Sequence, residues 1–220
     1  MRFGILSFVA CTAFSQTPQT LPLRTIEGLT LHNLKAAPAE HAGRQCVRLF
    51  DGTADEQTHS YALIRGLEFG DGTIEVDLAG RPGPQASGAA RGFTGVAFRV
   101  QKDGKRFENF YLRPTNGRAE DQVRRNHSLQ YTSEPEFPWS RLRKEFPEKY
   151  ESYADLQPSV WTKVKITVEG TRARLYVNGV EQPNLIVNDL KLGATRGGVA
   201  LWIGPGTEAF FANLKVTPKN

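Results

Sequence analysis

WTKVKITVEGTRARLYVNGV, residues 161–180, decides the architecture. Val164, Ile166 and Val168 alternate with Lys163, Lys165 and Thr167, and Ala173, Leu175 and Val177 alternate with Arg172, Arg174 and Tyr176. A period of two sends successive side chains to opposite faces, so each run reads as a strand with one face on a core. Glu169-Gly170 predicts the turn between them. Asn178-Gly179 predicts a tight two-residue hairpin turn, because both central residues of such a turn need positive φ.

The pattern continues outward. GGVALWIG (197–204) and EAFFANLKV (208–216) follow, the latter with Phe210, Ala212, Leu214 and Val216 on one face. Upstream, GTIEVDLAG (72–80) alternates Ile74, Val76 and Leu78 with Thr73, Glu75 and Asp77, while LTLHNLKA and QCVRLF are split by the turn-rich AEHAGR. With Gly 21 and Pro 13 in 220 residues, the chain is an all-β protein with many turns. We expect one large β-sandwich domain over 25–220, preceded by a linker at 16–24 (QTPQTLPLR).

Residues 93–131 carry the unusual chemistry. Val96, Phe98 and Val100 of one strand and Phe110 and Leu112 of the next form the expected core side. The other side then shows Arg99, Asn109, Tyr111 and Arg113, with Gln130 or Tyr131 from a third run. An aromatic ring, guanidiniums and amides make a binding surface rather than a merely solvated face. Residues 132–158 form a long connection with Trp139, a piece of helical character (SRLRKEF) and Tyr153, and long connections of this kind are commonly functional.

The first fifteen residues, MRFGILSFVACTAFS, read as an export leader with small residues before Gln16. Phe-Val-Ala-Cys at 8–11 alternatively makes Cys11 the lipid anchor of a lipoprotein. No stretch is apolar enough to span a membrane. With only Cys11 and Cys46, a disulfide framework is excluded, and Cys46 is expected as a small core residue. A net charge of +5, spread along the chain, gives no nucleic-acid footprint. Asp51, Asp55 and Glu56 offer oxygen ligands at short spacing for calcium, although such loops are often simply solvated; no other cofactor is expected.

WTKVKITVEGTRARLYVNGV, GGVALWIG and the terminal FFANLKV together resemble the ends of concanavalin A-like lectin/glucanase jelly rolls. The likeness runs over about 25–218 and is nearest the laminin-G-like and 3-keto-disaccharide hydrolase-like branch. It implies two stacked antiparallel sheets, one concave, with carbohydrate as the usual ligand of the concave side. It also implies an exported or lipoprotein leader.

Retaining glucanases of this superfamily carry Glu-x-Asp-x-x-Glu or Glu-x-Asp-x-Glu on one strand. Here Glu75-Val76-Asp77 lacks the second Glu at either spacing, and double displacement needs two carboxylates about 5 Å apart. Other acid/base candidates are Glu108, Glu120, Asp121 and His127; Asp121 beside Arg124 and Arg125 also reads as an ion pair, and His127 as a structural residue. Sugar rings pack an apolar face on aromatics while their hydroxyls pair with guanidiniums and amides. Tyr111, Tyr131, Trp139 and Tyr153 supply the rings, and Arg99, Asn109, Arg113, Arg125 and Gln130 the polar contacts. The sequence thus points to an exported carbohydrate-binding sandwich. The alternatives are a glycan-active hydrolase or lyase of the keto-sugar type and a laminin-G-like module that binds a protein.

Overall fold

A computed structural model describes residues 17–53 and 58–219. The leader with Cys11 and the calcium candidates Asp55 and Glu56 lie outside the described residues. In chain order the strands are β1 (Gln19–Leu21), β2 (Leu29–His32), β3 (Lys35–His41), β4 (Arg44–Phe50), β5 (Ser60–Phe69), β6 (Gly72–Pro82), β7 (Thr94–Val100) and β8 (Phe107–Leu112). After helix α1 (Gln122–Asn126) come β9 (Leu129–Glu134), α2 (Trp139–Glu145), β10 (Glu151–Ser152), β11 (Thr162–Glu169), β12 (Arg172–Val177), β13 (Leu185–Val187), β14 (Gly197–Ile203) and β15 (Thr207–Pro218).

The strands form two antiparallel sheets packed as a sandwich. One runs β13-β12-β11-β6-β15-β4-β3, with β1 pairing β15; the other runs β10-β9-β8-β7-β14-β5-β2. The core lies between them. Ile74, Val76, Leu78, Val164, Ile166, Val168 and Leu175 of the first sheet meet Val96, Phe98, Phe110, Leu112, Leu129 and Leu201 of the second. Alternation survives intact in β11, where every second residue is buried. In β7 and β8 every residue is buried, because both faces are covered. That double covering sets the second sheet apart.

The stretch expected as a linker, 16–24, contains β1. Strand β15 pairs with β4 only at Ala209–Phe211, and β1 takes up the open edge further along, at Leu214–Val216. Unpaired backbone groups there would otherwise stay exposed along a sheet edge. Leu23 adds to the core.

The β11–β12 hairpin turns at Gly170 as expected, with Glu169 opposite Arg172. Asn178 and Gly179 both adopt positive φ (55° and 75°), so the turn forms. It does not close a two-residue hairpin. The return strand β13 begins only at Leu185, and Asn184 replaces the missing rungs by donating to the Leu175 carbonyl and accepting from the Val177 N–H.

Arg99 departs from the expected face. Phe98 pairs with Val199 and Val100 with Gly198, so Arg99 has no opposite number on β14 and forms a bulge at φ 54°. The extra residue reverses the parity, and Val100 turns outward instead. The fully buried Arg99 donates to the carbonyls of Gly70, Gly170 and Gly193 and to the Asp71 carboxylate at 2.5–3.2 Å. It ties together the β5–β6 turn, the β11–β12 turn and the connection into β14.

Candidate functional site

The outer face of the second sheet is built in cross-strand rows. One row reads Tyr61, Trp202, Gly95, Tyr111, Gln130 and Glu151 from β5 across to β10. Gly95 is the key position. A Cβ there would lie 2.1 Å from the Phe110 carbonyl oxygen and 2.6 Å from Tyr111 Cα, so only glycine fits. The bare position lets the rings on either side meet: Trp202 and Tyr111 approach with centroids 4.9 Å apart. The next row is Leu63, Ala200, Ala97, Asn109 and Thr132, in which two alanines leave room above the sheet.

Above these rows lies a pocket of about 450 Å³, walled by Phe93, Tyr111, Trp139 and Trp202, by the 85–90 loop and by the 204–206 turn. Its polar lining includes Thr132, His59 and Glu134. His59 Nε2 lies 3.6 Å from Glu134 Oε2, and the His59 ring stands edge-on to Phe107. Trp202 Nε1, Thr132 Oγ and both side-chain polar atoms of the neighbouring Asn109 are buried without a hydrogen-bond partner among the described residues. Buried polar groups are normally satisfied, so a cluster of exceptions marks a place suited to a hydroxyl-bearing ligand.

Of the residues singled out in the sequence, Tyr111 and Trp139 line this pocket, and Asn109 sits in its floor row. Gln130 and Arg113 share the face but lie behind Tyr111. The Arg113 guanidinium donates to the Tyr111 hydroxyl (2.9 Å), Gln130 Oε1 (3.0 Å), the His127 carbonyl (2.9 Å) and Glu151 (3.3 Å). The Gln130 amide donates to the carbonyls of Tyr131 and Tyr150. Burial pushes the Tyr111 hydroxyl up to about 12, so near neutral pH it is a protonated phenol.

Others sit elsewhere. Tyr131 and Glu108 point inward, where the Tyr131 hydroxyl donates to Glu108 at 2.7 Å and the Leu192 N–H donates to the same carboxylate. Burial pushes the Glu108 carboxyl above its ordinary range, with those two donors opposing. Asp121 caps α1 by accepting from the Arg124 N–H. His127 lies 3.5 Å from Glu151, and burial lowers its imidazole below the ordinary value. Arg125 stacks on the half-exposed Tyr153 beyond the pocket lining. Asp51 pairs with Lys35 at 3.0 Å. On the solvent side of the first sheet, Asp77 pairs with Arg44, and Glu75 lies near Lys215.

Sequence reasoning missed Trp202, Thr132, His59 and Glu134. For Trp202 and Thr132 the signal was present: Ala200 and Trp202 alternate with Val199, Leu201 and Ile203, and Thr132 shares parity with Gln130. Glu134 shares that parity at the end of β9, whereas His59 lies just before β5, where no periodicity speaks.

Fold and pocket together define a two-sheet jelly-roll β-sandwich with a pocket on the outer face of its second sheet. The chain belongs to the family of 3-keto-alpha-glucoside-1,2-lyase-like domains, whose model matches residues 25–217. Among solved structures it is similar to the carbohydrate-binding module CBM66 of Bacillus subtilis (16% identity, 86% of this chain and 95% of that one, TM-score 0.58). A Bacillus subtilis protein with a galectin-like fold gives 12% identity, 92% and 96% coverage and a TM-score of 0.58. The Crh5 transglycosylase in complex with NAG gives 9% identity, 94% and 86% coverage and a TM-score of 0.51. At such identities these likenesses speak to the fold. No curated protein matches the chain in sequence. The laminin-G-like alternative finds no support in these comparisons. Among the described residues no helix is long and apolar enough to cross a membrane.

Proposed function

We propose that the protein binds a glycan in the outer-face pocket, seating one sugar ring against Trp202 and Tyr111. The observation that carries this reading is the pairing of those two rings over Gly95, in a pocket of sugar-accommodating size where Trp202 Nε1 and Thr132 Oγ lack a hydrogen-bond partner among the described residues. An aromatic wall packs the C–H face of a pyranose, while the lining residues Thr132 and Trp202 offer a hydroxyl and an indole N–H for hydrogen bonds to sugar hydroxyls.

A second reading, favoured by the His59–Glu134 pair, is that the pocket also carries out elimination. In a 3-keto-α-glucoside, the chemistry named by the family, the ketone acidifies the proton on C2. A base that removes this proton allows the C1–oxygen bond to break, provided an acid protonates the departing oxygen. A carboxylate and an imidazole lining one pocket, 3.6 Å apart, supply such a pair.

Calorimetry with an alkyl 3-keto-α-glucoside and a panel of neutral glycans, followed by product analysis, tests both readings. Trp202→Ala is expected to weaken binding about tenfold, or about 1.4 kcal/mol. Glu134→Gln is expected to slow turnover about 100-fold with binding retained. Wild-type affinity in folded Trp202→Ala defeats the pocket reading. Undiminished turnover in both Glu134→Gln and His59→Ala defeats the elimination.

Export is part of the same proposal, supported by the leader-like residues 1–15 and by the glycan-related fold. Mass spectrometry of protein from its native host should find a new N-terminus at Gln16 or a lipidated Cys11, whereas an intact Met1 on cytoplasmic protein refutes it.

A further inference from the structure

A second, larger depression opens on the same outer face, beyond Tyr61. It is a groove of about 840 Å³ between the later half of β5, the β7–β8 hairpin and the start of β14. Its floor is bare backbone at Gly197 and Gly198. A Cβ at Gly197 would lie 2.4 Å from the Val100 carbonyl oxygen, and one at Gly198 2.6 Å from Leu63 Cδ1. Its inner end is a stacked pair of rings: His32 lies on Tyr61 with centroids 4.5 Å apart, and the Tyr61 hydroxyl is anchored by donating to the Gly104 carbonyl at 2.7 Å. Burial pushes the His32 imidazole below its ordinary value, so near neutral pH it is an uncharged ring.

The rim is cationic. Arg65, Lys102, Arg106 and Arg196 face the groove against only Glu68 and Asp103. Asp103 is already engaged, accepting from Arg106 Nε and from the Lys105 and Arg106 N–H groups. Arg65, Lys102 and Arg196 are exposed and have no carboxylate partner among the described residues. Unpaired guanidiniums beside an open trough suit carboxylates borne at intervals along a chain, which they grip with paired hydrogen bonds. The stacked rings at the end suit a sugar ring.

We infer that this groove is a separate binding site for a linear acidic glycan, a uronate-bearing oligosaccharide whose carboxylates pair with Arg65, Lys102 and Arg196 while one ring packs on His32 and Tyr61. This goes beyond the pocket reading and does not depend on it, since none of the three cations lines the pocket.

The test is calorimetry on the full chain at low ionic strength, using α-1,4-linked hexagalacturonate and an α-1,4-linked glucose hexamer as probes. The acidic hexamer should bind, and the neutral one at least about tenfold more weakly. Each charge-assisted contact is worth about tenfold, so Arg65→Ala combined with Arg196→Ala should weaken binding about 100-fold. Trp202→Ala should leave it unchanged. Lys102→Glu gives an independent check by placing a repelling charge on the rim. No binding of hexagalacturonate, equal binding of the neutral hexamer, or parent-like affinity in the arginine variant and in Lys102→Glu overturns the proposal. Equal binding of a single-stranded oligonucleotide overturns it too, as a mere polyanion surface, and loss of binding in Trp202→Ala would place the ligand in the pocket instead.

Discussion

Replacing Arg99 by methionine is expected to destabilise the protein by about 4 kcal/mol, because methionine keeps much of the volume and none of the donors. The guanidinium bonds three backbone carbonyls, those of Gly70, Gly170 and Gly193, from a side chain that is fully buried. Each carbonyl stripped of its partner in a dry environment costs about 1–3 kcal/mol. The Asp71 contact adds less, since that carboxylate is 38% exposed and also accepts from the Gly170 N–H. Arg99→Lys should recover only part of the loss, as one ammonium cannot span acceptors contributed by three separate connections. Urea unfolding at constant m-value measures the effect. A cost below about 1 kcal/mol would mean that the bulge holds without its clamp.

The same residue shows where the sequence stops being readable. Strand alternation located β6, β7, β8, β11 and β12, because a half-buried strand displays its two faces directly in the order of residues. In β15 a bulge at Asn213 (φ 55°) splits the expected face, sending Phe210 and Ala212 to the outer side and Leu214 and Val216 into the core. Asn109, Tyr111 and Arg113 share a face as expected. Arg99 broke the rule through a single inserted residue in β7, and a non-glycine residue at positive φ leaves no trace in composition. Glu108 was legible and misjudged: it alternates with Asn109 and shares parity with Phe110, which sends it inward to Tyr131. Trp202 was likewise readable from its alternation with Leu201 and Ile203. The meeting of His59 and Glu134 was not, because it depends on the twist of a whole sheet and on the loops that close over it.

Arg113→Ala is expected to cost about 3 kcal/mol, the lower end of the effect of breaking a buried ion pair. Arg113 and Glu151 are almost wholly buried, with side chains 6% and 3% exposed. Glu151 keeps a second partner in Arg143, which holds the cost below that of a stranded charge. The loss still includes donors to the Tyr111 hydroxyl, Gln130 Oε1 and the His127 carbonyl, and the guanidinium lying over the Tyr111 ring at 5.0 Å. The melting temperature should fall by about 6–12 °C, given about 2–4 °C per kcal/mol for a chain of this size. Arg113→Lys should restore little, since one ammonium cannot serve four acceptors. Any loss of glycan affinity in the folded fraction then arises through Tyr111, whose ring is positioned from behind by this network, so Tyr111→Phe should reproduce part of it at smaller cost in stability. The opposite pattern, an unchanged melting temperature with glycan affinity lost, would move Arg113 out of the scaffold and into direct contact with the sugar.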